Sequence, residues 1–95
     1  MNAYRRRIVA KATGRVQAVG YRAFCAYEAT RLQVSGYARN LPDGRTVEVV
    51  AEADDATLRR LVERMRDGPP LARVDDVEFR WEDATGEFVG FEAMI

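Results

Sequence analysis

Apolar residues recur along the first half of the chain at two spacings, one typical of strands and one typical of helices. Residues 6–13 form a β-prone run that predicts a largely buried strand. Residues 21–33 place apolar side chains at helical spacing and predict a helix whose apolar face covers a sheet. Residues 34–40 and 46–52 flank a Pro-Asp-Gly turn signal, and together they predict a hairpin.

A second helix and two further strands are predicted in the rest of the chain. The apolar stripe of this helix repeats at i, i+3, i+4 and i+7 and consists of Leu58, Leu61, Val62 and Met65. Asp54 and Asp55 cap its start, and Gly68 followed by two prolines ends it. Residues 76–82 alternate between charged and apolar side chains as in a half-buried strand, and residues 91–93 predict a short last strand.

The predicted order of elements is βαββαβ with one extra strand at the end. Two strand–helix–strand crossovers split by a hairpin give an antiparallel sheet with both helices on one face. We therefore predict an α+β, ferredoxin-like sandwich with a short extra C-terminal strand, in a single domain over residues 1–95. Because this fold carries many unrelated functions, it does not by itself indicate what the protein does.

The composition is that of a soluble globular domain without an overall charge bias. Of the 95 residues, 47% are apolar and 32% are charged, and the formal net charge is zero. A chain of this length buries about two-thirds of its unfolded surface, which is enough for one core. The neutral charge gives no general attraction to nucleic acid or to an anionic membrane, so we expect neither as a partner. From the single core we expect a monomer.

Two residue types that carry much enzyme chemistry are scarce or missing. The chain has no histidine and one cysteine, Cys25. An internal disulfide is thereby excluded, a transition-metal site would need carboxylates alone, and the commonest base for nucleophilic catalysis is absent. The sequence shows neither a signal peptide nor an apolar run of membrane-spanning length, so we expect a cytoplasmic protein.

The connection between the first strand and the first helix, residues 14–22, is a candidate anion site. A glycine-bounded loop that leads into a helix presents several unpaired backbone N–H groups to one point, where the helix dipole adds positive charge. Arg22 adds a planar fork of donors suited to two phosphate oxygens. The loop alone leaves a second interpretation open, a plain strand-to-helix connection with a solvated arginine.

Asn40 ends the first arm of the predicted hairpin at the edge of the sheet where this loop lies. An arginine that binds a phosphate and a neutral amide that holds a water molecule suit in-line hydrolysis without a covalent intermediate. The alternative is that Asn40 is an ordinary turn residue, because asparagine favours turns for backbone reasons.

Two separated segments resemble the signatures of the acylphosphatase family. The sequence GRVQAVGYR at 14–22 resembles G-x-V-Q-G-V-x-(F/Y)-R, and GYARNLPDG at 36–44 resembles G-(F/Y/W)-(A/V)-x-N-x-x-(D/N)-G. Further matches lie at 47–49, 68–69 and 72–74, so the resemblance spans nearly the whole chain. The two motifs together favour the anion site over a plain connection and a functional Asn40 over a turn residue.

The resemblance implies a cytoplasmic hydrolase that cleaves acyl phosphates to a carboxylate and inorganic phosphate, without metal or cofactor. Arg22 would bind the phosphoryl group and Asn40 would position the attacking water. The phosphate-binding loop implied by the family supplies backbone amides from Arg15, Val16, Gln17, Ala18, Val19, Gly20 and Tyr21. The implied partner is a small-molecule acyl phosphate, with inorganic phosphate as product and competing ligand.

Three neighbouring residues are assigned no catalytic role. Gln17 is interpreted as shaping the loop through side-chain hydrogen bonds. Arg39 should point away from Asn40, because successive strand side chains face opposite sides of a sheet. Cys25 and Arg31 have the C-x5-R spacing of cysteine phosphatases, but inside a helix they point in different directions, and a buried, inert Cys25 is the better interpretation.

Ala18 stands where the family pattern has glycine. If that position needs a left-handed backbone, alanine costs about 1 kcal/mol and tilts an amide away from the phosphate, and we then expect Ala18→Gly to raise phosphate affinity or turnover. If the backbone there is ordinary, the methyl group is tolerated. An impaired loop would make the chain a non-catalytic phosphate or acyl-phosphate binding module. An RNA-binding sandwich is a third alternative, although the strands lack the paired exposed aromatic residues that such a surface needs.

Overall fold

The computed structural model describes residues 4–95, so the first three residues of the predicted 1–95 domain lie outside the described residues. Five strands and two helices follow one another in the predicted order. They are β1 (Arg6–Arg15), α1 (Tyr21–Arg31), β2 (Ser35–Asn40), β3 (Thr46–Ala53), α2 (Asp55–Asp67), β4 (Arg73–Asp83) and β5 (Phe91–Ala93). The α+β, ferredoxin-like arrangement predicted from the sequence is confirmed.

The five strands form one sheet in the order β4-β1-β3-β2-β5. β1 pairs antiparallel with β3 and β4, and β2 pairs antiparallel with β3. The extra strand β5 pairs with β2 in the parallel sense, which the prediction did not specify, so the whole sheet is mixed. The reason lies in the connection: β4 and β5 occupy opposite edges, and residues 84–90 bring the chain across before β5 begins.

The core lies between one face of the sheet and the two helices. On β1 the side chains of Ile8, Ala10 and Ala12 are fully buried, which is the period-2 alternation expected of a strand with one covered face. The predicted stripe of α2 is buried in full, and α1 buries Tyr21, Cys25, Glu28 and Ala29. Within residues 4–95, no helix combines the length and the apolar character that crossing a membrane would require.

β2 and β3 differ from their predicted ranges by one residue, and three other elements differ by two or three residues. α1 ends at Arg31 because Gln33 has a φ of 61°, a left-handed conformation in which a helix does not continue. β1 extends to Arg15. β4 begins at Arg73, and its pairing with β1 shifts register beside Gly14. The extra strand residues are mostly charged, so their sequence carried no apolar alternation to predict them.

A buried carboxylate on β3 anchors the segment that leads to β5. Glu52 is 0% exposed, and its Oε2 lies 2.8 Å from Nε of Arg7. It also accepts the backbone N–H groups of Thr85 at 2.9 Å and Gly86 at 3.0 Å. Burial by itself raises the pKa of Glu52, but these two N–H groups and the Arg7 guanidinium outweigh it and hold the pKa below its ordinary value.

Replacing Glu52 with glutamine should lower the free energy of unfolding by about 3 kcal/mol, because Arg7 loses its buried partner. Since the folded pKa is depressed, the stability contributed by ionised Glu52 is present above its unfolded pKa and is lost as pH falls through the folded pKa. Urea denaturation from neutral to acid pH should therefore show a shallower acid loss in Glu52→Gln than in the wild type.

Glu48→Gln is the matched control for this change. Glu48 lies on the same strand and pairs with Arg39 at 2.8 Å, but the Arg39 side chain is 50% exposed. Solvent screens such a pair, so the control should cost much less. Equal losses in the two variants would contradict the role assigned to Glu52.

Candidate active site

The candidate site lies where β1 and β2 end. Both strands pair antiparallel with β3, so they run in the same direction and end at the same edge of the sheet. The loop 16–20 follows β1 at that edge and the turn 41–45 follows β2. Near the end of β1, a hydrogen bond of 3.1 Å from the Gly14 N–H to the Arg45 carbonyl joins this strand to the turn.

The start of α1 is built differently from the start of α2. The residue before α1 is Gly20, with a φ of 81°; no side chain caps the helix and no acidic residue lies in its first turn. At α2, by contrast, Asp54 accepts a hydrogen bond from the Thr57 N–H, and Asp55 follows in the first turn. The first N–H groups of a helix have no acceptor within the helix, so α1 presents free donors and a positive dipole end.

A concavity of about 260 Å³ lies at this end of α1. Its lining consists of Val16, Ala18, Gly20, Tyr21, Arg22, Ala23, Ala93 and Ile95. Arg22 is the one charged side chain in this lining, and the others are small or apolar. An anion here would meet a guanidinium and backbone amides, and no aspartate or glutamate side chain is in this lining.

Four of the seven predicted loop residues line the concavity: Val16, Ala18, Gly20 and Tyr21. Val16 and Tyr21 are each 1% exposed and form its base. The Tyr21 hydroxyl donates a 2.8 Å hydrogen bond to the carbonyl of Met65, which fixes the first turn of α1 against α2.

The other three loop residues do not line the concavity. Arg15 is the exposed last residue of β1. Val19 is partly buried against the core. Gln17 points toward the turn after β2, where its Nε2 donates to the carbonyls of Leu41 and Thr46, each at 2.9 Å. The side-chain hydrogen bonds predicted for Gln17 are confirmed.

Arg22 lies between the loop and the end of the chain. Its Nη1 donates to the carbonyl of Met94, and the Met94 N–H donates to the carbonyl of Ala38 at 2.8 Å. The C-terminal residues Ala93 and Ile95 therefore form one wall of the concavity. The sequence does not indicate this wall, since a strand of three residues gives no sign of where it pairs.

Asn40 is the last residue of β2, and its side-chain oxygen is unusual. Oδ1 is buried and accepts no hydrogen bond from residues 4–95, although buried polar atoms in folded proteins are nearly always paired. No hydrogen bond joins Arg22 to Asn40 within these residues, so the predicted meeting of the two extends only to their shared edge of the sheet. The lone pairs of this oxygen are unused, and Asn40 is not among the residues that line the concavity.

The turn after Asn40 is held by an aspartate. The Asp43 carboxylate accepts the N–H groups of Arg45 and Thr46, each at 2.9 Å, and the Thr46 hydroxyl. The Thr46 hydroxyl and the Arg45 N–H hold the pKa of Asp43 below its ordinary value. The turn is thus fixed by contacts of its own as well as by Gln17.

Arg39 and Cys25 lie away from the concavity. Arg39 pairs with Glu48 at 2.8 Å on the face of the sheet opposite the helices. Cys25 is fully buried, and burial raises the pKa of its thiol to about 12. The thiol is therefore protonated at neutral pH, as the interpretation of Cys25 as inert requires. No three Cys, Asp or Glu side chains within residues 4–95 are grouped closely enough to bind a metal ion.

Ala18 adopts the left-handed conformation that the sequence left open. Its φ is 61°, a region that costs residues with a Cβ roughly 1–2 kcal/mol. The strain lies in the middle of the loop, beside Gln17, at a residue that lines the concavity together with Arg22. Glycine, the residue of the family pattern, would adopt the same backbone without this cost.

Comparison with known proteins gives one consistent family. A sequence model named acylphosphatase matches residues 8–93. An acylphosphatase of Thermus thermophilus is 52% identical over 80 residues, which cover 84% of this chain and 90% of that protein. One from Methylococcus capsulatus is 46% identical over 89 residues, covering 94% and 96%. The crystal structure of the Bacillus subtilis acylphosphatase superposes with a TM-score of 0.89 at 30% identity, covering 95% and 99% of the two chains.

Ala18→Gly should raise the free energy of unfolding by about 0.5–1 kcal/mol, because relief of the left-handed strain exceeds the entropy that glycine adds to the unfolded chain. Urea denaturation measures the change. The matched control is Ala26→Gly within α1, which should lower stability by about 1 kcal/mol. A loss of similar size in both variants would show that position 18 carries no strain.

Proposed function

The chain belongs to the acylphosphatase family, and on this basis we propose that it hydrolyses acyl phosphates by attack of an Asn40-positioned water on a phosphoryl group bound by Arg22 and loop amides. The observation that carries the proposal is the position of two unpartnered groups at the same edge of the sheet. An uncapped helix start with Arg22 lies at the end of β1, and an unpartnered amide oxygen lies at the end of β2.

The phosphoryl group would be held by the amides at the start of α1 and by Arg22. Backbone N–H donors and a helix dipole stabilise a phosphate without any change in geometry during the reaction. Arg22 adds a bidentate, permanently charged donor. Its present acceptor, the Met94 carbonyl, is neutral, so an anionic phosphoryl oxygen competes for the guanidinium with the advantage of charge.

Asn40 would orient the attacking water through Oδ1. The water oxygen attacks phosphorus, the bond between phosphorus and the acyl oxygen breaks, and the carboxylate leaves with the electron pair. The proton of the water passes to the phosphate product or to solvent. Because a carboxylate is a good leaving group, orientation and phosphoryl charge stabilisation are sufficient, and no strong base such as histidine is required.

Arg22 and the loop amides supply positive charge to the phosphoryl group, so we propose that the reaction needs neither a metal nor a cofactor. We also propose that residues 1–95 act as one domain, as a monomer in the cytoplasm, on a small-molecule acyl phosphate, without nucleic acid or a membrane as partner.

Ala18 supports a second candidate function, phosphate binding without turnover. Its φ of 61° places strain inside the loop that would hold the phosphate, and relaxation of that strain tilts the neighbouring amides. This candidate predicts that inorganic phosphate protects the chain against unfolding while no acyl phosphate is hydrolysed.

Hydrolysis of acetyl phosphate by the wild type should proceed unchanged in the presence of EDTA.

Arg22→Ala should lower kcat/KM by about 10²-fold or more, because the charged donor to the phosphoryl group is lost.

Asn40→Ala should lower kcat by a similar factor of about 10² and leave the inhibition constant of inorganic phosphate nearly unchanged, because only water positioning is lost.

Arg39→Ala is the matched control, an arginine beside Asn40 that faces the other side of the sheet. Its kinetics should equal those of the wild type. Full activity in Arg22→Ala or Asn40→Ala, with folding intact, would refute the role of that residue. Loss of activity in EDTA that returns with added metal would refute the metal-free reaction.

A further inference from the structure

We propose that Gln17 is a positioning residue, whose side chain fixes Asn40 relative to the phosphate-binding loop without touching the substrate. This inference rests on the proposed function. It concerns a side chain to which neither sequence motif gives a part in the reaction. The motif at 14–22 contains Gln17, but the concavity that Arg22 lines does not.

The amide of Gln17 spans two segments that are distant in sequence. Its Nε2 donates 2.9 Å hydrogen bonds to the carbonyls of Leu41 and Thr46, which are 24 and 29 residues away. A primary amide nitrogen has two protons, so both donors of Gln17 are used. No N–H of this side chain is left for a phosphoryl oxygen.

The two acceptors enclose the turn that begins after Asn40. Leu41 is the next residue along the chain, and its N–H donates to the Thr46 carbonyl at 2.9 Å. Gln17 thus bonds to both carbonyls at the point where the hairpin closes. Movement of Gln17 would therefore be transmitted to the peptide that follows Asn40.

The neighbours of Gln17 in its own loop also restrict its position. It lies between Val16, which is 1% exposed in the core, and the left-handed Ala18. The other hydrogen bond between the two segments, from the Gly14 N–H to the Arg45 carbonyl, lies at the strand ends at 3.1 Å. Asp43 orders the turn internally but makes no contact with the loop. Among residues 4–95, the Gln17 amide is the side-chain link from the loop to the turn.

This link controls the distance between the bound phosphorus and the water that Asn40 holds. A displacement of about 1 Å in such an arrangement costs about 10²-fold in rate. The groups proposed to bind phosphate are Arg22 and the first amides of α1, and the Gln17 side chain makes no hydrogen bond to them among residues 4–95. Loss of the link should therefore affect turnover more than phosphate affinity.

Gln17→Met tests this directly, because methionine keeps the length and volume of the side chain and removes both donors. With acetyl phosphate as substrate, kcat should fall by about tenfold or more, while the inhibition constant of inorganic phosphate should stay within about threefold. A loss of phosphate affinity in proportion to kcat would show that Gln17 binds the ligand. Unchanged kcat would show that the link has no role in catalysis.

A double-mutant cycle with Asn40→Ala distinguishes positioning from general loosening of the fold. If Gln17 acts through Asn40, adding Gln17→Met to Asn40→Ala should change residual kcat by less than about twofold. Multiplicative losses would overturn the proposal. If the double variant is too slow to measure, the split between kcat and phosphate inhibition in the single variant decides the question.

Val62→Ala in α2 is the control for stability alone, since Val62 is 2% exposed in the core and lies outside the concavity. It should lower the melting temperature and leave kcat unchanged at temperatures where the protein is folded. If Gln17→Met does not fold, Gln17→Asn keeps the amide but is too short to reach both carbonyls, and it should show the same kinetic split. Absence of turnover in the wild type would refute the proposed function itself, whereas normal wild-type turnover with an uncoupled Gln17 would refute only the positioning role.

Discussion

The pairing of β1 and β2 with the same central strand, β3, is the constraint on which the candidate site depends. Because both pairings are antiparallel, the two strands that flank β3 run in one direction and end at one edge of the sheet. Residues that are far apart in sequence, Gln17 and Leu41, are thereby brought within hydrogen-bond distance. A shift in either register would separate the loop from the turn and remove the arrangement without changing any residue in it.

The helix start at this edge is uncapped, whereas the helix start at the opposite edge, after β3, is capped. α2 caps its first turn with Asp54, and α1 follows Gly20 with no side-chain cap. An uncapped helix start leaves backbone N–H donors that no side chain satisfies, and a ligand can accept their hydrogen bonds. The buried oxygen of Asn40 has the same character. Among the buried side-chain nitrogen and oxygen atoms of residues 4–95, Nε of Arg64 is the other one without a hydrogen bond. The amides at the start of α1 and Oδ1 of Asn40 are therefore unpaired groups that lie at one edge of the sheet.

The wall formed by the C-terminal residues depends on an interaction distant from the concavity. Glu52 holds the N–H groups of Thr85 and Gly86 on the outer side of β3, and the chain then enters β5. β5 pairs with β2 and is followed by Met94, whose carbonyl accepts a hydrogen bond from Nη1 of Arg22. The orientation of the charged group in the site is thus supported by a buried ion pair on the opposite face of the sheet.

The sequence predicts most of the fold but less of the site. The helix stripes and the hairpin turn were predictable because each is encoded by spacing within a few residues, as with Asp54 and Gly68 at the two ends of α2. The parallel pairing of β5 was not, since it depends on a crossover that three residues do not encode. The motifs indicated Arg22 and Asn40. The glycine of the family pattern raised a left-handed backbone at Ala18 as one of two possibilities, and the structure has it. The wall formed by Ala93 depends on the pairing of β5, which no local pattern specifies.

The most direct test of water attack at phosphorus in this site is the fate of the water oxygen. Acetyl phosphate is hydrolysed by the wild-type chain in water enriched in oxygen-18, and both products are examined by mass spectrometry. Attack by an Asn40-held water on a phosphoryl group bound at α1 predicts that the label enters inorganic phosphate and that acetate stays unlabelled. Label in acetate would mean attack at the carbonyl carbon and would contradict the account.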